Sequence, residues 1–171
     1  MKKVLVLSSL LIGFMTLAQN QTSDRVDQPM NSASIDQLVE KLAPEPAVRT
    51  RSLRNLAPAP KSVDLVIQFD FDSAKLQAAS KPLLNNLAAA MKTDRLMQIS
   101  FKVEGHTDAK GSESYNQQLS QKRAESVVTY MAEQGIDKSR MESVGKGFSD
   151  LLYPDRPQAM ENRRVRITTV Q

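Results

Sequence analysis

The residues best placed to do chemistry lie between 104 and 123, in the run Glu-Gly-His-Thr-Asp-Ala-Lys-Gly-Ser-Glu-Ser-Tyr-Asn-Gln-Gln-Leu-Ser-Gln-Lys-Arg. Asp108 follows a strand-like stretch and sits in a polar turn, where functional groups concentrate. Asn116, Ser120 and Arg123 are spaced i, i+4 and i+7, so a helix would carry them on one stripe. Arg123 offers a planar fork that can take a carboxylate bidentately. Asp108 can accept hydrogen bonds from an ammonium, and helix N-terminal amides would add donors for a second carboxylate. A ligand carrying its own ammonium and carboxylate, such as an amino acid head group, matches this set. The other reading of the same spacing is that Asp108 and Arg123 pair with each other or brace the turn.

The N-terminus sets the context. Lys2 and Lys3 precede an apolar run over 4–17, and Thr16-Leu17-Ala18 supplies small residues at cleavage positions. This is the layout of a secretory signal peptide over residues 1–18. The run is shorter than the roughly 20 residues of a spanning helix, which is the alternative reading. The sequence has no Cys, so neither lipidation at cysteine nor a disulfide can operate, and core packing alone must hold the fold. The 23 Lys and Arg against 19 Asp and Glu give a formal charge of +4, and without Lys2 and Lys3 it is +2. That small excess is no nucleic-acid signature. Few aromatics and no Trp argue against stacking platforms for single strands.

The remaining chain is long enough for one domain with a sizeable core. Residues 19–62 have linker composition, with Pro44, Pro46, Pro58 and Pro60 excluding a long helix. Within them, 34–42 reads as a short amphipathic helix with Ser34 as N-cap and Ile35, Leu38, Val39 and Leu42 on one face. It would either pack loosely on the domain or dock a partner. The basic cluster Arg49, Arg51 and Arg54 reads as a solvated part of the same linker.

The folded domain is expected over 63–171. Leu65, Ile67, Phe69 and Phe71 alternate with polar neighbours as in a half-buried strand. Ser80 is expected to cap a helix with Pro82 in its first turn, burying Leu83, Leu84, Leu87, Ala88 and Met91. Ile99, Phe101 and Val103 mark a second strand. A second helix over 114–134 should bury Leu119, Val127, Val128 and Met131 and end at Gly135. Strands over 143–147 and 164–170 complete a β-α-β-α-β-β order. The fold class is therefore α/β, a two-layer sandwich with the helices on one face of a mixed sheet.

Gly105-His106-Thr107-Asp108, Gly111, Tyr115-Asn116, Leu119-Ser120, Arg123-Ala124, Val127 and Asn162-Arg163-Arg164-Val165 together resemble the OmpA-like C-terminal domain. Phe69, Phe71, Ser73 and Leu76 fit the opening strand and turn of that family. The resemblance implies noncovalent, non-enzymatic binding of peptidoglycan through the meso-diaminopimelate of its stem peptide, in support of cell-envelope integrity. It implies ligand contacts from Asp108 and Arg123, a site shaped by Thr107 and Asn116, and Leu119 and Arg163 nearby. It implies a Gram-negative periplasmic protein associated with the cell wall, with any outer-membrane association made through a partner. No cofactor or metal is implied. The alternative reading is an envelope interaction protein that recruits a partner through residues 19–62, with wall binding secondary. One departure stands out. Many members carry a Gly-Arg pair before Asn-Arg-Arg, where this chain has Gln158-Ala159-Met160-Glu161, so the rim over 148–161 should be shaped differently.

An enzyme reading has little to build on. Glu104, His106 and Asp108 alternate and could be cast as metal ligands, or Ser114 or Ser120 as a nucleophile beside His106. No second His or any Cys completes a typical zinc set, and no Gly-x-Ser-x-Gly elbow is present. His106 is expected to orient the turn, and Tyr115 and Tyr130 to pack.

Overall fold

The computed structural model describes residues 28–44 and 59–170. The expected leader and the cluster Arg49, Arg51 and Arg54 lie outside the described residues. Strands β1 (Ser62–Leu65), β2 (Ser100–His106), β3 (Met141–Gly147) and β4 (Val165–Val170) form one sheet in the order β1-β4-β2-β3. β4 runs antiparallel to both β1 and β2, while β2 and β3 are parallel. Helices α1 (Ile35–Leu42), α2 (Lys81–Met91) and α3 (Glu113–Glu133) contribute to one buried core with Phe101, Val103, Val165 and Ile167 of the sheet. The expected mixed α/β sandwich is present, with one helix more in its helical layer.

That helix is α1. Ser34 closes a capping box with Gln37, accepting from the Gln37 amide at 3.2 Å while the Gln37 side chain accepts from the Ser34 amide at 2.9 Å. A helix of two turns is marginal in water, so its stability comes from packing. Leu38 and Leu42 are fully buried, α1 packs on α2 and β1, and Asn86 donates to the Ala33 carbonyl at 2.8 Å. Ahead of it Met30 bridges to Leu65, with Met30 N–H donating to Asp64 O and Val66 N–H to Met30 O, both at 2.8 Å. Residues 28–44 are thus part of the folded body, and the expectation of a linker up to residue 62 is corrected at this segment.

The first strand is shorter than its alternation implies. β4 begins at Val165, opposite Leu65, so the chain beyond Leu65 has no ladder to join. It folds back on itself through a Phe69–Leu76 bridge, with Asp70 N–H donating to Lys75 O at 2.9 Å. Ile67 is still buried, but Phe71 is fully exposed, and Asp72 adopts a φ of 50°. Ser80 also departs from expectation. Its hydroxyl accepts from the Gln68 amide at 2.6 Å instead of capping α2, which binds this returning segment to the helix.

α3 lies very close to the sheet. A Cβ on Gly105 would meet the Ser120 carbonyl oxygen at 2.2 Å, and one on Gly145 would meet the Gln121 amide nitrogen at 2.6 Å. The Ser120 hydroxyl accepts from Gly147 N–H at 2.8 Å. Gln121 accepts from Gly145 N–H at 2.6 Å, and Gln117 donates to Gly145 O at 2.8 Å. The helix starts at the Ser112 cap, and Tyr115 N–H donates to its hydroxyl at 3.3 Å. It ends on left-handed Gly135, with Gly135 N–H bonding Ala132 O and Ile136 N–H bonding Met131 O.

Candidate functional site

The site forms where β2 leaves the sheet. The β2–β3 register shifts between Gly105 and His106, and Thr107 N–H then donates to Gly147 O at 2.8 Å. This fixes the start of the 107–112 turn. Thr107 is buried, and its hydroxyl has no hydrogen-bond partner among the described residues. Asp108 is only 6% exposed. Its Oδ1 accepts from Lys110 N–H at 3.1 Å, and its Oδ2 from Arg163 Nη1 at 2.8 Å. Asn116 closes the turn from the helix side, donating to Lys110 O at 2.7 Å and Ser112 O at 3.1 Å.

Asp108 and Arg123 do not pair with each other by a hydrogen bond. Arg123 Nε donates to the Ser73 carbonyl at 3.0 Å, and its guanidinium lies 5.0 Å from the centroid of the Phe69 ring. Its Nη atoms have no hydrogen-bond partner among the described residues, so they are available to a ligand. Burial, and then the neighbouring Arg163, hold the Arg123 guanidinium below its ordinary pKa, while Asp108 and Asp72 pull it back up. The side chains of Arg123 and Arg163 line one cleft of about 410 Å³, together with Val66, Ile67, Gln68, Phe69, Gln77 and Met160. Two guanidiniums therefore face a ligand-sized space, with the Asp108 carboxylate bound to one of them.

Of the stripe read from the sequence, Arg123 reaches this cleft, whereas Asn116 and Ser120 are buried and hold backbone. Leu119 is half-buried on the same helix. Sequence reasoning did not assign the Ser73 carbonyl, Gln77 or Met160 to the site, since none of the three groups carries a charge that marks it as a ligand contact. Met160 stands in the departing Gln158–Glu161 stretch and is 70% exposed on the rim.

His106 faces away from this chemistry. Its Nδ1 lies 3.2 Å from the Asp150 carbonyl, and its buried Nε2 has no partner among the described residues. Burial, and then Arg164, lower its pKa to about 4. Beside it Arg164 is fully buried and pairs with Asp64 at 3.1 Å, and Arg166 grips Asp64 with two bonds of 2.9 Å. Glu104 pairs with Lys146 at 3.5 Å, so Glu104, His106 and Asp108 turn to three different partners. Among the described residues no group of three His, Asp or Glu side chains is placed to hold a metal. Ser120 bonds Gln117 O and Gly147 N, and Ser114 lies beside Ser112; neither bonds His106. Tyr130 donates to Asn85 at 2.8 Å, and Tyr115, partly exposed, donates to Asp72.

Comparison with known proteins agrees with this architecture. Outer membrane porin F of Pseudomonas aeruginosa is 41% identical over 88 residues, covering 51% of this chain and 25% of that protein. Outer membrane protein A of Bordetella avium is 34% identical over 119 residues, covering 66% of this chain and 60% of that protein. The chain thus spans a quarter to three fifths of the length of these curated relatives. Among solved structures, the peptidoglycan-associated lipoprotein of Burkholderia pseudomallei matches with a TM-score of 0.51 at 31% identity, covering 61% of this chain and 86% of that one. Residues 68–165, which carry the 107–112 turn, Arg123, Arg163 and strands β2 and β3, match the OmpA family, and the chain belongs to that family.

Proposed function

We propose that this protein binds peptidoglycan noncovalently through the meso-diaminopimelate of the stem peptide, as a non-enzymatic module of the cell envelope. The observation that carries the reading is the meeting of Arg123 and Arg163 at one cleft, with Asp108 bonded to Arg163 and the Arg123 Nη donors unbonded among the described residues. The free end of meso-diaminopimelate carries one ammonium and one carboxylate. Its carboxylate fits the Arg123 fork, and its ammonium shares the Asp108 carboxylate with Arg163. A solved relative is named for its association with peptidoglycan, which supports the same polymer as ligand. Export by the expected leader would deliver the chain to the periplasm, beside the wall. No observation favours recruitment of an envelope partner through the apolar face of α1, since Leu38, Val39 and Leu42 are buried in the core.

Sedimentation with purified sacculi tests the proposal. Asp108→Ala and Arg123→Ala each remove a charge-assisted contact worth roughly 1.5–3 kcal/mol, so each should bind about ten-fold more weakly or worse. Walls built with lysine lack the side-chain carboxylate and leave Arg123 desolvated without its partner, so they should bind more weakly too. Full retention of both folded variants, together with equal binding of the two wall types, would overturn it.

A further inference from the structure

The loop over 148–161 is mostly irregular, and its backbone groups need partners supplied from elsewhere. One side chain supplies three of them. Asn162 is fully buried, and its Oδ1 accepts from Tyr153 N–H at 2.9 Å. Its Nδ2 donates to Arg156 O at 3.0 Å and to Pro157 O at 3.2 Å. Both ends of the amide are thereby engaged. The Pro157 carbonyl accepts a further bond, from Ala109 N–H at 2.9 Å, and Ala109 is the residue after Asp108. The next residue in the chain, Arg163, reaches the same Asp108 from the other side at 2.8 Å.

We infer that Asn162 is a positioning residue for the cleft: its buried amide fixes the 153–157 loop, and through the Pro157 carbonyl it fixes the turn that presents Asp108. The inference rests on the reading of this cleft as the stem-peptide site. Asn162 touches no ligand in this scheme. It sets where the Asp108 carboxylate stands relative to Arg163 and Arg123, and charge-assisted contacts tolerate little displacement. Met160, on the cleft rim, lies between Pro157 and Asn162 in sequence.

The test uses the full chain and a soluble muropeptide carrying meso-diaminopimelate, at a temperature where circular dichroism shows each variant folded. Asn162→Ala should bind about ten-fold more weakly per folded molecule. In an Asp108→Ala background the same change should cost almost nothing further, because the two act through one contact. Equal affinity of Asn162→Ala and wild type, or an undiminished loss in the Asp108→Ala background, overturns the inference. Should the variants not fold, the wild type decides. Muropeptide binding should slow amide exchange at Tyr153, which bonds Asn162, as well as at Ala109, since coupling between two positions is reciprocal. Protection of Ala109 with Tyr153 unchanged overturns it. A wild type that binds no muropeptide sinks the cleft reading itself, a result distinct from any of these.

Discussion

Asp108 carries two demands in one carboxylate. It receives the Lys110 amide and the Arg163 guanidinium, and it is nearly buried while doing so. Burial keeps this arrangement out of competition with water, which strengthens both bonds. The sequence marks Asp108, Arg123 and Arg163 as chemical candidates, and the structure brings Arg123 and Arg163 to the cleft with Asp108 bonded to Arg163. It left open whether Asp108 pairs with Arg123, because spacing along a helix says nothing about a residue that returns on a distant strand. His106 was legible as structural, yet its neighbours Arg164, Arg166 and Asp64 were not, since they converge from β1 and β4. Its titration gives a prediction. The folded pKa of about 4 lies below the ordinary 6.5, so between these values the unfolded chain binds the proton that the fold refuses. The stabilising effect is complete above pH 6.5 and lost as pH falls toward 4, amounting to about 3 kcal/mol. Urea unfolding from pH 7.5 to 4 should show His106→Gln losing less stability over that range than the wild type. Parallel curves would contradict it.

Periodicity located most elements, because α2, α3, the first half of β2 and β4 each have one buried face and their patterns record it. Where a pattern ran on without a neighbour it misled, as it did past Leu65, since alternation reports a buried face and not a hydrogen-bonded ladder. Ser80 misled for a related reason: a hydroxyl before a helix can serve any nearby amide, and here Gln68 claims it. The close seat of α3 was invisible in the pattern but is written in the glycines. Gly105→Ala places a methyl 2.2 Å from a backbone oxygen that cannot swing away, and should cost about 3 kcal/mol. Gly111 has room for a methyl but a φ of 88°, so Gly111→Ala should cost only about 1 kcal/mol of backbone strain. Denaturant midpoints of the two variants measure the contrast, and equal losses would show that the helix is free to lift.

At the scale of the molecule, α1 changes where the body begins. Its amphipathic pattern was plain in the sequence, but an apolar stripe does not say what covers it, and proline-rich flanks gave it the look of a linker. Leu38 is fully buried among residues of the core, so Leu38→Ala should destabilise the whole fold by about 2–5 kcal/mol. Ile35 on the same helix is 38% exposed, and its replacement by Ala should cost well under that. Thermal unfolding separates this from a docking helix, for which both changes would leave stability near the wild-type value.

The glutamines of α3 have one more effect. β3 and β1 are the outer strands of this sheet, and an outer strand with idle amides and carbonyls is a template on which another chain can grow. At β3, Gly145 already gives its amide to Gln121 and its carbonyl to Gln117. At β1, Asp64 O and Val66 N–H are taken by Met30. Both margins are closed at these positions by the chain's own residues. At these positions copies lying side by side therefore cannot zip into a continuous sheet, and the fold carries its own protection against aggregation from that quarter.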